Sequence, residues 1–397
     1  MKNRSALLIL VVIVFVDLLG FGMVIPVMPL YAERLGASDA WVGLLSAGYS
    51  LMQFVFAPIW GRLSDRVGRR PMLLASTAMT ALAFALYGAA ASFGALLAAR
   101  LFAGAATANI GIARAFVADV TAPEDRATGM GYLGAAFGLG FVLGPVMGGV
   151  LSQHSLSLPP YVAAALAAVN AIAAYFVLPE PEERSVRDAA RRSRFGAFFA
   201  EMRRPGIRRV IWVFGLTVLA FSALETTYPL LVTKRYGLDL EHANYLFAYI
   251  GVLVVVVQGG LIRPLTRRFG EKTLLVAGIV LQALAFVTIP FAGTTLGLVV
   301  ATAPLAVGAG LAQPSISSLL SRFAPADEQG GTLGIGESAG AVGRVLGPIG
   351  GTWTFTTISV WFPYVVGAGL MAVSALVGAS LRAPDSPAKE LADAGAA

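Results

Sequence analysis

Long apolar runs separated by short polar turns dominate this chain. Twelve of them stand near 6–31, 41–60, 72–91, 94–117, 129–151, 160–178, 209–232, 243–263, 273–292, 296–320, 331–353 and 359–381. A helix rises 1.5 Å per residue, so about 20 apolar residues cross a bilayer core. Each run therefore predicts a membrane-spanning helix, and the short gaps make neighbours antiparallel. The only long polar stretch is 179–206. Its Phe195, Phe198, Phe199 and Met202 among arginines predict a solvated linker with a short interfacial helix. Lys2 and Arg4 ahead of the first run could announce a cleaved secretion signal. That run, Ala6 to about Tyr31, is too long for a signal core and holds Asp17, so it reads as a retained helix.

The pattern repeats. Gly129 to Gly149 (GMGYLGAAFGLGFVLGPVMGG) aligns with Gly331 to Gly351 (GTLGIGESAGAVGRVLGPIGG), placing Gly140, Leu143, Gly144 and Pro145 on Gly343, Leu346, Gly347 and Pro348, 203 residues on. Leu63 to Gly68 (LSDRVG) aligns with Leu265 to Gly270 (LTRRFG) at an offset of 202. Two segments sharing nearly one offset point to a duplicated six-helix unit, an architecture of transporters. The expectation is an all-α membrane protein of two pseudo-symmetric six-helix bundles. An N-terminal bundle occupies 1–178, a linker 179–207, a second bundle 208–382 and a tail 383–397.

Composition agrees: 57% of residues are hydrophobic, 13% charged, and mean hydropathy is +0.76, against about 25% charged in soluble domains. The net charge of +7 is no sign of nucleic-acid binding, because the cations sit in clusters between apolar runs. With the N-terminus inside, 24 of the 29 cations fall in cytoplasmic segments and only Arg34, Lys234 and Arg235 outside. That bias predicts both termini in the cytoplasm. There is no cysteine, and His154 and His242 stand far apart, so no metal site is expected.

Two segments carry further information. Gly61-Arg62-Leu63-Ser64-Asp65-Arg66-Val67-Gly68-Arg69-Arg70-Pro71 joins the second and third helices, with glycines for a tight turn and cations as an anchor. Asp65 could cap a neighbouring helix and stabilise one state of a gate; a plain topogenic cluster is the alternative. On the fifth helix, Gly140, Gly144 and Gly148 recur every four residues, a smooth stripe for close helix approach, with Pro145 bending the helix there. Gly149 completes this segment. Close packing there should seal the cavity against ion leak; ordinary packing glycines are the plainer reading.

These segments resemble the major facilitator superfamily. The Gly61–Arg70 stretch is similar to its signature loop G-x-L-a-D-r-x-G-r-r, and Gly140 to Gly149 resembles the helix-5 motif of its antiporters. Arg100-x-x-x-Gly104 resembles a third motif, with Ala103 where glutamine is usual. Asp17-Leu18-Leu19-Gly20-Phe21-Gly22, followed by Pro26 and Pro29, resembles the first helix of twelve-helix drug:proton antiporters of the tetracycline-exporter type. The resemblance implies two bundles rocking around a central cavity. It also implies that Asp65 and an arginine of its loop (Arg66, Arg69 or Arg70) latch against the eleventh helix and Asp119. In the second half Arg267 replaces the aspartate, so the latch is expected in the first half alone.

Charges inside predicted spans mark a pathway, since each costs about 2.5–3.5 kcal/mol at mid-membrane on insertion scales. Asp17 lies about 17 Å from the inner face and Arg100 about 9 Å from the outer, so a core about 30 Å thick leaves them about 4 Å apart in depth. Burial disfavours the Asp17 charge and a nearby guanidinium favours it, which suits a carboxylate that carries the coupled proton while Arg100 tunes it. A static ion pair is the alternative. Glu225, on the seventh helix, is a candidate second proton site or cation-binding group. Glu337 and Arg344 share a face of the eleventh helix about 10.5 Å apart along its axis and are expected not to bond directly. Glu337 is the better coupling candidate and Arg344 a cavity residue. Gln53, Asn109, Gln258, Gln282 and Gln313 are the uncharged cavity candidates, each as readily an interhelical hydrogen bond.

The expectation is a monomeric secondary transporter that expels drug-like or amphipathic small molecules from a bacterial inner membrane. The proton gradient would drive it, with no cofactor and no nucleic-acid partner. Export of a sugar or other metabolite is the alternative. A membrane enzyme or receptor is remote: no G-x-x-x-x-G-K-[ST], no H-E-x-x-H and no hydrolytic cluster is present.

Overall fold

The computed structural model describes residues 4–107, 109–120, 126–179, 203–324 and 329–381. Fourteen α-helices and no strand occur among them. The first bundle comprises α1 (Arg4–Val24), α2 (Met28–Arg34), α3 (Asp39–Val67), α4 (Arg69–Gly88), α5 (Phe93–Ala106), α6 (Asn109–Val120), α7 (Arg126–Ser152) and α8 (Leu158–Val177). The second comprises α9 (Pro205–Tyr236), α10 (Leu240–Val256), α11 (Ile262–Thr288), α12 (Thr295–Phe323), α13 (Gln329–Thr357) and α14 (Phe362–Ala379).

These helices account for the twelve expected spans. Nine stretches of the described residues are long and apolar enough to cross a membrane, and one of them, Tyr245–Phe291, holds the eighth and ninth spans together. Gly138–Ser152, in the fifth, is apolar but shorter. α13 is the eleventh; Glu337 and Arg344 lower its hydropathy.

Three boundaries differ from the pattern. The first run is two helices, because Pro26 cannot continue the i to i−4 ladder; α1 ends at Val24, and α2 restarts with Pro29 in its first turn. The fourth run also breaks, with Thr107 in an extended conformation after α5. The eighth and ninth runs lack the expected gap of nine residues: a π-helical segment, Val257–Leu261, leads into α11, and Gly270 makes the reversal. The interfacial helix expected near 195–202 and the 383–397 tail lie outside the described residues.

The duplication is visible in packing. On α7, a Cβ at Gly140, Gly144 or Gly148 would come within 2.5–2.8 Å of Leu18, Gly22 or Met23 on α1. On α13, a Cβ at Gly343, Gly347 or Gly351 would come within 2.5–2.9 Å of Leu219 or Ala223 on α9. Both stripes let two backbones touch, and each helix carries its proline, Pro145 or Pro348, inside the stripe. The turns match as well. Gly68 (φ 122°) and Gly270 (φ 75°) both adopt positive φ, where a side chain would be strained.

Apolar side chains of 207–381 form one large core, and those of 7–178 form separate ones. The halves meet along α3 with α13 and α7 with α10. On the face opposite the Gly68 and Gly270 turns, α3 and α13 are so close that a Cβ at Gly43 would fall on Thr352 and 2.5 Å from the Pro348 carbonyl oxygen. Lys234, ending α9, reaches Glu33, ending α2, at 3.5 Å on that face.

Candidate functional site

The α1–α7 glycine contact fixes the backbone directly after Asp17, which is buried within the Leu7–Val24 span. Arg100 is buried one helix away on α5, 3% exposed. The Arg100 guanidinium lies over the ring of Tyr49 on α3, 4.3 Å from its centroid, and 5.6 Å from that of Phe21 on α1. The two rings pack at 5.4 Å. Asp17 and Arg100 both lie within electrostatic range of Tyr49. Sequence reasoning missed Tyr49, because a tyrosine in an apolar run looks like packing.

Gly104 explains the approach. A Cβ there would fall on the Tyr49 carbonyl oxygen and 2.9 Å from the Met52 Cβ, so only glycine lets α5 rest on α3 at this level. Arg100 and Gly104, four residues apart, share a face of α5.

The second half supplies the facing charges. Glu225 on α9 is half-buried and lies within the fields of both Arg100 and Arg344. Glu337 and Arg344 do bond directly, at 3.4 Å, with 47% and 36% of their side chains exposed. The expectation of no contact compared axial positions alone; two long side chains lying along one helix face close a two-turn gap. Ionisable groups exposed halfway along a membrane helix require water or polar neighbours beside them.

The uncharged candidates scatter. Gln282 is buried between α11 and α12, facing Gly308 and donating weakly to the Gly278 carbonyl at 3.4 Å, which is a packing role. Gln53 is half-buried, Gln258 half-buried in the π-helical segment and Gln313 exposed on α12. Asn109 begins α6, with its side chain outside the described residues.

In the signature turn, Gly61 has open space around it, and Arg69 donates to the Ser64 hydroxyl at 2.6 Å. Arg70 donates to the Tyr175 carbonyl at 2.5 Å and stacks 5.7 Å over its ring, tying α4 to the end of α8, while Arg66 is exposed. The side chains of Asp65 and Asp119 lie outside the described residues. The second half has an ion pair of its own near the corresponding turn. Glu271 accepts from Arg322 at 2.6 Å and from Ser318 at 3.1 Å, joining the start of the ninth span to the end of the tenth. Glu271 matches Arg69 at the repeat offset, and Arg322 stands within one residue of the position matching Asp119. The charges have changed places.

Two six-helix bundles with buried charges between them define a secondary transporter. The sequence model of the Major Facilitator Superfamily matches residues 10–268 and 253–397. The chain belongs to that superfamily. It is 32% identical over 381 residues to the class C tetracycline resistance protein of Escherichia coli, covering 94% of this chain and 96% of that one. It is 28% identical to multidrug resistance protein 1 of Bacillus subtilis (strain 168), over 96% of this chain and 98% of that one. Among solved structures it resembles the human organic anion transporter MFSD10, with a TM-score of 0.75, 25% identity, and 95% and 100% of the two chains covered.

Proposed function

We propose that this transporter exports an amphipathic, drug-like solute in exchange for protons, its bundles rocking about the Asp17–Tyr49–Arg100 and Glu225–Arg344 groups. The observation that carries the reading is Asp17 and Arg100, buried inside apolar spans and both within electrostatic range of Tyr49, with Arg100 stacked on its ring and also within range of Glu225 in the other half. A buried carboxylate whose charge burial disfavours and a nearby cation favours can both take up and release a proton, as coupling requires. The tetracycline and multidrug resistance relatives support export of this solute class. Asp17 carries the proton, with Glu225 and Glu337 as further acids on its route. The cation bias supports placing the Gly68 and Gly270 turns and both termini in the cytoplasm of a bacterium, with the protein in the inner membrane as a monomer.

Reconstitution into liposomes with an imposed pH gradient tests this. Tetracycline or ethidium is expected to drive proton movement read by a trapped pH dye, and glucose is not. Probe movement that ignores the gradient, or a response to glucose alone, would overturn the reading.

A further inference from the structure

α4 and α8 pack together in the first bundle, and a recess of about 430 Å³ lies between them on their outward side. Leu74 and Ala78 of α4 line it with Ala171, Ile172, Tyr175 and Phe176 of α8. Two alanines among larger neighbours leave the space, and Ile172 and Phe176 beside it are 61% and 78% exposed. Both helices are long and apolar enough to span a membrane, so the recess opens to lipid.

Arg70 stands at one end, at the level of the Gly68 turn. Arg70, Leu74 and Ala78 recur every four residues and share a face of α4, a run of about 12 Å. The guanidinium stacks 5.7 Å over the Tyr175 ring and donates to the Tyr175 carbonyl oxygen at 2.5 Å. α8 ends at Val177, so that carbonyl is one of the last four, which have no partner within the helix. Capping it uses one of five N–H donors and neutralises no charge. Among the described residues Arg70 has no carboxylate partner, and its Nε is shielded without a hydrogen bond.

An apolar trough that ends in an uncompensated guanidinium at the membrane face is complementary to one kind of molecule. The trough takes an acyl chain, and the guanidinium forks onto a phosphate as planar donors do. A zwitterionic headgroup would bring a second cation to Arg70, and a free phosphate would leave the trough empty. The second half offers a contrast. Arg70 corresponds to Lys272 at an offset of 202, and Tyr175 to Gly378 at 203, so the cation is kept and the ring is not. A Cβ at Gly378 would already touch Val276 at 3.4 Å.

We propose that the α4–α8 recess binds one anionic phospholipid, its phosphate on Arg70 and an acyl chain along Leu74 and Ala78. The inference concerns lipid and stands independently of the proton-exchange reading.

The test uses the full chain, purified in detergent and stripped of lipid. Phosphatidylglycerol or phosphatidylcholine with a photoreactive acyl chain is added, adducts are mapped by peptide mass spectrometry, and retained lipid is counted by native mass spectrometry. Phosphatidylglycerol adducts are expected within 74–78 and 171–176, with a preference over phosphatidylcholine of about fivefold, the scale of one cation at an anionic surface. Arg70→Gln should bring the two lipids to parity, and Arg70→Lys should keep most of the preference. Ala78→Trp, which fills the trough and leaves Arg70 in place, should remove the adducts; it decides the matter if Arg70→Gln does not fold. Lys272→Gln should leave them unchanged. Adducts spread evenly over other spans, or a preference that survives Arg70→Gln, overturns the proposal, as do adducts that persist in Ala78→Trp. Inorganic phosphate that displaces the lipid at equal concentration also overturns it, because the acyl chain would then contribute nothing.

Discussion

The two halves share a scaffold and almost none of their buried charge. Gly140, Gly144 and Gly148 press α7 onto α1 as Gly343, Gly347 and Gly351 press α13 onto α9. The reversing glycines, Gly68 and Gly270, correspond too. Yet Asp17 falls on Ala220 at an offset of 203, Arg100 on Ala303 and Glu225 on Gly22. Positions where backbone meets backbone admit one residue type, so duplication preserved them. Positions facing the space between bundles were free to diverge, and there the first half took up the buried acid and cation while the second took a half-exposed set. Symmetry marks packing here, and its absence marks chemistry.

The largest effect should come from breaking the shared part. Gly144→Leu or Gly347→Leu drives a side chain into a facing backbone and is expected to cost about 3 kcal/mol or more. Both should appear as loss of monodisperse protein on size exclusion. Gly350→Ala, with open space around it, should melt within about 1 kcal/mol of wild type. Breaking the asymmetric part should leave the fold and remove the activity. Asp17→Asn is expected to slow proton-coupled probe exchange about 100-fold, on the scale of losing a proton-transfer group. Adding Ala220→Asp should not restore it, because Ala220 has no counterpart of Arg100 beside it; recovery in the double variant would mean that the halves are interchangeable.

The Glu271–Arg322 contact offers a finer test. Glu271→Arg should lose about 1 kcal/mol on thermal melting, and joining it to Arg322→Glu should regain most of that, since the swap restores opposite charges at the same two positions. The smallest effect belongs to Lys234→Gln. Its partner Glu33 is at 3.5 Å and the lysine is 42% exposed, so the change should stay within about 0.5 kcal/mol and vanish in high salt.

The spans were legible because lipid imposes one rule on every residue facing it, and hydropathy reports that rule directly. In α13, Glu337 and Arg344 dilute the apolar signal, and the match of 331–351 to 129–149 reinforces the apolar count there. The breaks at Pro26 and Thr107 were not read as breaks. Pro26 alone is compatible with a bent span, and nothing around Thr107 marks an extended residue. Asp17 and Arg100 stood out as charges in apolar runs, but sequence could not say that Arg100 stacks on Tyr49. That placement depends on Gly104 bringing α5 onto α3, a contact between helices with no periodic signature. The Glu337–Arg344 bond was misjudged for a simpler reason: axial rise was counted and side-chain length was not.

The contact of Gly43 with Pro348 and Thr352 has a practical use. One methyl group placed there would collide with a carbonyl and a hydroxyl belonging to the other bundle, and neither can yield without the bundles parting. Gly43→Ala is thus a wedge at the rim. It should bias the population towards the arrangement in which that rim is open, giving crystallographers and antibody selections a single-residue way to capture that half of the transport cycle.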